Sequence, residues 1–409
     1  MSGRVRGLVW ALWALAFWAM LPQVALARPV SIDPFATFHY ALRWYKPVVR
    51  TGFDRRVGVS FAQPVISHRD AIVAVGTAES QIQAFALEGG RRRWSYEHDS
   101  LVQGASARVV RSSGSDGSTE ELFVFGGLDG RLLALRARDG TFAWASELDG
   151  IVRAPPRQVG LVLYLATSRN NLYAIDVREG KVLWTQGRPP PSGLTVDGHA
   201  AVAYDADADA GAGVVVTCFS DGYATAHKAS DGARLWERPL SLQHADFVDA
   251  DADPVIRGAV VYMASYSDGV FALSLRDGQV LWRHPLPAAT RLAVTDAFLI
   301  AASADGHVWG LDFAQGTPVF HTRIPPGPIS RMRVVGDHVA FAAGESGLVV
   351  LAAASGKPVQ ATAVGGGVGA DLGEDGAYLA LLSAAGYLYV FAAAAPGMVM
   401  ARVPLLLSP

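Results

Sequence analysis

Cysteine is nearly absent: Cys218 is the single copy in 409 residues. An intramolecular disulfide is therefore excluded. Cys218 sits in the apolar run 214–219 and reads as a small core residue. Charge is also scarce, at 18% Asp, Glu, Lys and Arg with a formal net charge of −2. That balance gives no basic footprint for nucleic acid or an anionic membrane. The ten histidines are scattered, with no HExxH-type spacing. Neither Ser330 nor any other serine stands in a recognisable nucleophile elbow. Cys218 and His227 straddle a turn and read as a coincidental pair. No catalytic constellation emerges, and a non-enzyme is expected.

Long apolar runs are absent after the first residues. At the start, Arg4 and Arg6 precede a 14-residue apolar core, Leu8 to Leu21, which Pro22 ends. Ala25-Leu26-Ala27 is a small-x-small cleavage site. Residues 1–27 read as a secretory signal peptide, too short for a comfortable span, with an uncleaved anchor as the alternative. No cysteine follows the cleavage site, so no lipid-bearing lipobox cysteine is expected there.

Glycine, by contrast, is plentiful and periodic. The clearest unit runs from Pro254 to Leu286: three short apolar runs separated by Asp268-Gly269 and Asp277-Gly278, with Trp282 in the last. Asp-Gly between apolar runs signals a hairpin, the type I′ turn wanting φ > 0 at both central residues. With a leading strand the unit is a four-stranded antiparallel meander. Its second-turn glycine recurs at Gly90, Gly140, Gly180, Gly232, Gly278, Gly316, Gly356 and Gly397. Four residues after the first five stand Trp94, Trp144, Trp184, Trp236 and Trp282; Phe320 follows in the sixth, and the seventh (Gln360) and eighth (Ala401) lack the aromatic.

Four strands per repeat at this spacing mark a β-propeller blade. Eight copies predict an all-β, eight-bladed propeller over 61–409, each tryptophan wedged between neighbouring blades. Residues 28–60 precede it, and the segment around Trp44 looks like an isolated outer strand that closes the ring on blade eight; the tail Pro396–Pro409 is the competing source.

From Asp197 to Asp253 carboxylates outnumber basic groups. Asp205-x-Asp207-x-Asp209 begins like an EF-hand loop, but Ala210 and Val216 stand where glycine and the bidentate Glu belong. The segment containing Asp246, Phe247, Asp249 and Asp251 lies between blades four and five. In a meander blade it shares one face with the Pro-rich link holding Leu194 and with the Asp221-Gly222 and Asp268-Gly269 turns. The 205–209 loop falls on the other face. Only the first set could form one patch; docking is expected mostly through the 246–253 loop, Asp246, Asp249 and Asp251 pairing with a basic partner surface and Phe247 and Leu194 as apolar anchors.

The unit exemplified by Tyr173-Ala174-Ile175-Asp176, Gly180 and Trp184 resembles the pyrroloquinoline-quinone (PQQ) repeat. Two families share it: PQQ-dependent dehydrogenases, and the periplasmic assembly factor BamB, a non-catalytic eight-bladed propeller. Residues 248–255, VDADADPV, resemble the acidic segment with which BamB grips the barrel insertase BamA, Asp249 and Asp251 falling on its acidic positions. The second contact loop of BamB maps near 191–198, where Leu194 matches and no arginine does. The resemblance implies a periplasmic, monomeric scaffold in outer-membrane β-barrel assembly, peripheral to the membrane through its partner and without cofactor. The alternatives are a quinoprotein dehydrogenase holding PQQ and calcium, or an extracytoplasmic sensor propeller.

Overall fold

The computed structural model describes residues 39–48, 62–102, 104–113, 118–189, 200–240, 250, 252–286 and 288–394. The leader (1–27), Leu194, Asp246, Phe247, Asp249, Asp251 and the 396–409 tail lie outside the described residues.

Among the described residues the strands form eight four-stranded antiparallel sheets. Seven are consecutive meanders, as in blade five: Val255–Arg257 (strand A), Val260–Ser265 (B), Gly269–Ser274 (C) and Val280–His284 (D). Blade eight is spliced. Gly373–Glu374, Tyr378–Leu382 and Tyr387–Ala393 supply A to C, and Tyr40–Pro47 from the other end of the chain supplies D. Tyr40 pairs with Ala393 and Pro47 with Tyr387, a bulge falling between Leu42 and Trp44. Strands B and C are almost wholly buried and β-branched or aliphatic, because both of their faces are covered by neighbouring blades. The D strands alternate half-buried and exposed at the rim.

The turns depart from the type I′ expectation. In Asp129-Gly130, Asp221-Gly222, Asp268-Gly269 and Asp305-Gly306 only the glycine has positive φ, between 80° and 91°. The aspartate instead acts through its side chain. Asp129 Oδ1 accepts from the Arg131 amide (3.1 Å) and Asp221 Oδ1 from that of Tyr223 (3.2 Å). An Asx contact of this kind serves the aspartate without a left-handed backbone.

The tryptophans join blades by a repeated contact. Trp94, Trp144, Trp184, Trp236 and Trp282 each donate their indole N–H to a carbonyl of the following blade: Ala137, Val177, Ala229, Leu275 and Phe313, at 2.8–3.1 Å. Each ring lies on that blade's second-turn glycine. A Cβ on Gly140, Gly180, Gly232 or Gly278 would approach the preceding blade's indole to 2.5–2.8 Å. Trp44 repeats the contact across the splice, on Leu87 O and Gly90, so the eighth aromatic is Trp44. Phe320 packs on Gly356 in the same way. At the seventh seam Gln360 replaces the ring. Its Oε1 accepts from the His39 and Tyr40 amides (3.0 and 2.9 Å), and its Nε2 donates to Tyr40 O (2.7 Å). A side-chain amide thereby holds the closing strand by its backbone.

Candidate docking face and axial ion network

The D–A links and B–C turns share one end of the ring, as the meander topology requires. Two links there are rooted on neighbouring blades. The first leaves blade three through Arg188 and re-enters at Ala200, which is buried. Arg188 is only 11% exposed and pairs with Asp221 (2.7 Å) and Glu237 (2.6 Å), its guanidinium lying over the Tyr223 ring at 4.2 Å. Burial alone would lower the Arg188 pKa, but the two carboxylates more than offset it and raise it. Asn170, in the left-handed region at φ 58°, accepts from Ser220 Oγ (2.9 Å) and donates to Pro189 O (3.3 Å). These contacts fix the B–C turns of blades three and four to each other.

The second link leaves blade four through Leu240 and returns at Ala250 and Ala252, all at most 1% exposed. Asp253 follows and points to the axis. It accepts from the Ala201 amide (2.6 Å) and forms an ion pair with Arg331, whose Nη2 lies 3.1 Å from Asp253 Oδ1. Arg331 also pairs with Asp371, and the Arg331 amide donates to the same carboxylate (2.7 Å). Burial would raise the Asp371 pKa, yet Arg331 first, then Arg291, holds it below the usual carboxylate range. The links entering blades five, seven and eight are thus tied across the axis. This network faces an axial cavity of about 510 Å³, lined by strand A residues including Arg108, Arg157, Arg291 and Glu374.

The acidic turns of this face are internally committed. Asp221 is held by Arg188, and Asp268 pairs with Arg283 at 2.8 Å. These two turns share the face with the links, and their carboxylates are already ion-paired. On the opposite face Asp205 Oδ1 accepts from the Asp207 and Ala208 amides (3.0 and 2.8 Å), and Asp209 lies 3.8 Å from Lys228. Those carboxylates shape their own loop.

Cys218 and His227 do not form a pair. Cys218 packs with Val214 and Val216 in the core shared with blade five. His227 stands opposite Val215, whose side chain lies on the other face of the sheet, toward blade three. Burial lowers the His227 pKa, and its Nδ1 lies 2.9 Å from Gly232 O. The contributions of Arg188, Asp253, Arg331 and Gln360 were not singled out from sequence. Their partners lie 33 to 321 residues away, beyond any local pattern.

Among solved structures, BamB from Moraxella catarrhalis superposes with a TM-score of 0.68 at 20% identity, covering 86% of this chain and 99% of that one. A quinohemoprotein alcohol dehydrogenase from Comamonas testosteroni superposes at 0.63 with 12% identity, covering 92% and 80%. At such identities the likeness is one of fold. In sequence, the outer membrane protein assembly factor BamB of Xanthomonas campestris pv. campestris is 27% identical over 256 residues, 61% of either chain. The chain thus aligns with under two thirds of that relative's length. The family profile described as outer membrane protein assembly factor BamB matches residues 43–148 and 78–322, a span that includes the closing Trp44, five complete blades and both rooted links. This chain belongs to the BamB family.

Proposed function

We propose that this propeller is a non-catalytic docking scaffold for outer-membrane β-barrel assembly. The single observation carrying the reading is the continuous family match over residues 43–322. The geometry supports it: the described ends of two links on adjacent blades are anchored on one face, one by the Arg188 ion pairs and the other by Asp253 and Arg331. With Asp221 and Asp268 already paired, the carboxylates assigned to the partner are Asp246, Asp249 and Asp251, with Phe247 and Leu194 as apolar anchors. The partner is a BamA-type barrel insertase presenting basic groups, met in the periplasm after export. Truncating one member of a buried interfacial charge pair costs about 2–5 kcal/mol, a rim pair far less. The test is periplasmic cross-linking and capture with wild type and Asp249→Lys/Asp251→Lys. Capture of the barrel by wild type and its loss in the variant supports the reading; no capture by either refutes it.

A further inference from the structure

We propose that His307 and His321 form a binding site for a borderline transition-metal cation such as Zn²⁺ or Ni²⁺ at the rim of blade six. His307 opens strand C (His307–Leu311) and His321 lies in strand D (Pro318–Arg323), where it stands opposite Trp309. Alternation puts positions 307, 309 and 321 on one face of the sheet. His307 Nδ1 lies 2.6 Å from His321 Nε2. The rings are within 8° of parallel with centroids 4.8 Å apart. The two nitrogens therefore lie close to the line joining the centroids, and the rings meet edge to edge with nitrogens facing. Trp309 stacks beside both, at 5.3 and 5.4 Å, and restrains their planes.

Asp305 Oδ2 lies 3.7 Å from His307 Nε2 and is itself anchored, its other oxygen accepting from the Ser303 hydroxyl. A carboxylate at that position can orient the imidazole, as in carboxylate–histidine–metal arrangements. Imidazole nitrogen suits Zn²⁺, Ni²⁺ and Cu²⁺ rather than hard cations. Zn–N bonds of about 2.0–2.1 Å in tetrahedral geometry set two ligand nitrogens roughly 3.3 Å apart. The exposed His321 reaches that separation by a small side-chain rotation, and both ligating nitrogens bind the metal deprotonated. Water completes the coordination. The site is independent of the docking reading, since none of these residues belongs to the two links.

The test is calorimetric titration of the full chain with Zn²⁺. One saturable site is expected in wild type, lost in His307→Gln and in His321→Gln and retained in His284→Gln. Asp305→Asn should weaken binding about tenfold. Circular dichroism confirms that each variant is folded. Long-range ¹H–¹⁵N spectra of wild type give a readout without substitution: Zn²⁺ should shift His307 Nδ1 and His321 Nε2 ahead of other ring nitrogens. Absence of saturable binding to wild type, or unchanged binding in both glutamine variants, would overturn the proposal.

Discussion

Gly160 and Gly180 occupy two turns of blade three with similar backbone twist, φ 56° and 73°, but only Gly180 faces a ring. A Cβ at 160 meets nothing within 4 Å, whereas a Cβ at 180 would stand 2.5 Å from Trp144. Alanine in the left-handed region costs about 1–2 kcal/mol. Lower unfolded-state entropy returns about 0.4–1 kcal/mol. Both contributions are common to the two sites, so Gly160→Ala should destabilise by at most about 1.6 kcal/mol. Gly180→Ala adds overpacking against an indole that cannot retreat. Trp144 is 4% exposed and bonded to Val177 O at 2.8 Å. Forced overpacking costs about 1–3 kcal/mol. Equilibrium urea unfolding of both variants should therefore show Gly180→Ala less stable than Gly160→Ala by about that margin. Equal shifts in midpoint would refute the account of the seam.

Arg331→Met should destabilise by about 3–5 kcal/mol at neutral pH, because it leaves Asp253 and Asp371 charged around the axis without their guanidinium. The Asp371 carboxyl is depressed in the folded state, so its contribution is present above the unfolded value near 4 and is lost as pH falls through the lower folded value. Melting curves from pH 7 down to about 3 should show an acid-side loss in wild type and a much smaller one in Arg331→Met. Gln360→Leu strands the His39 and Tyr40 amides at about 1–3 kcal/mol each. Hydrogen exchange should then show residues 40–47 deprotected ahead of every other strand. Trp44→Ala and Trp144→Ala should each cost about 3–5 kcal/mol in a melt, because both rings bridge two blades through the same contact.

The blades were legible because each carries its own signals: β-branched runs for strands B and C, glycine at the turns and tryptophan in strand D. Tryptophan between blades could be inferred from size alone. That each ring rests on the next blade's glycine could not, since the two residues come from different repeats. Gln360 illustrates the same limit. It reads as a lost aromatic, and only the splice reveals a side chain bonded to a strand 320 residues earlier. The docking face was legible in topology but less so in charge: Asp221 and Asp268 look free in sequence and are paired in space. The positions proposed for the partner, Asp249 and Asp251 among them, lie outside the described residues and rest on the sequence pattern and family match.

The docking reading requires that one face of the ring, and not the other, meets the assembly machinery. A photoreactive amino acid placed at Asp249 on the D–A face and, separately, at Ala208 in the A–B loop of the opposite face tests it in living cells. A cross-link to a BamA-type barrel is expected from position 249 and none from 208. Cross-linking from 208 alone, or from neither position, would contradict it.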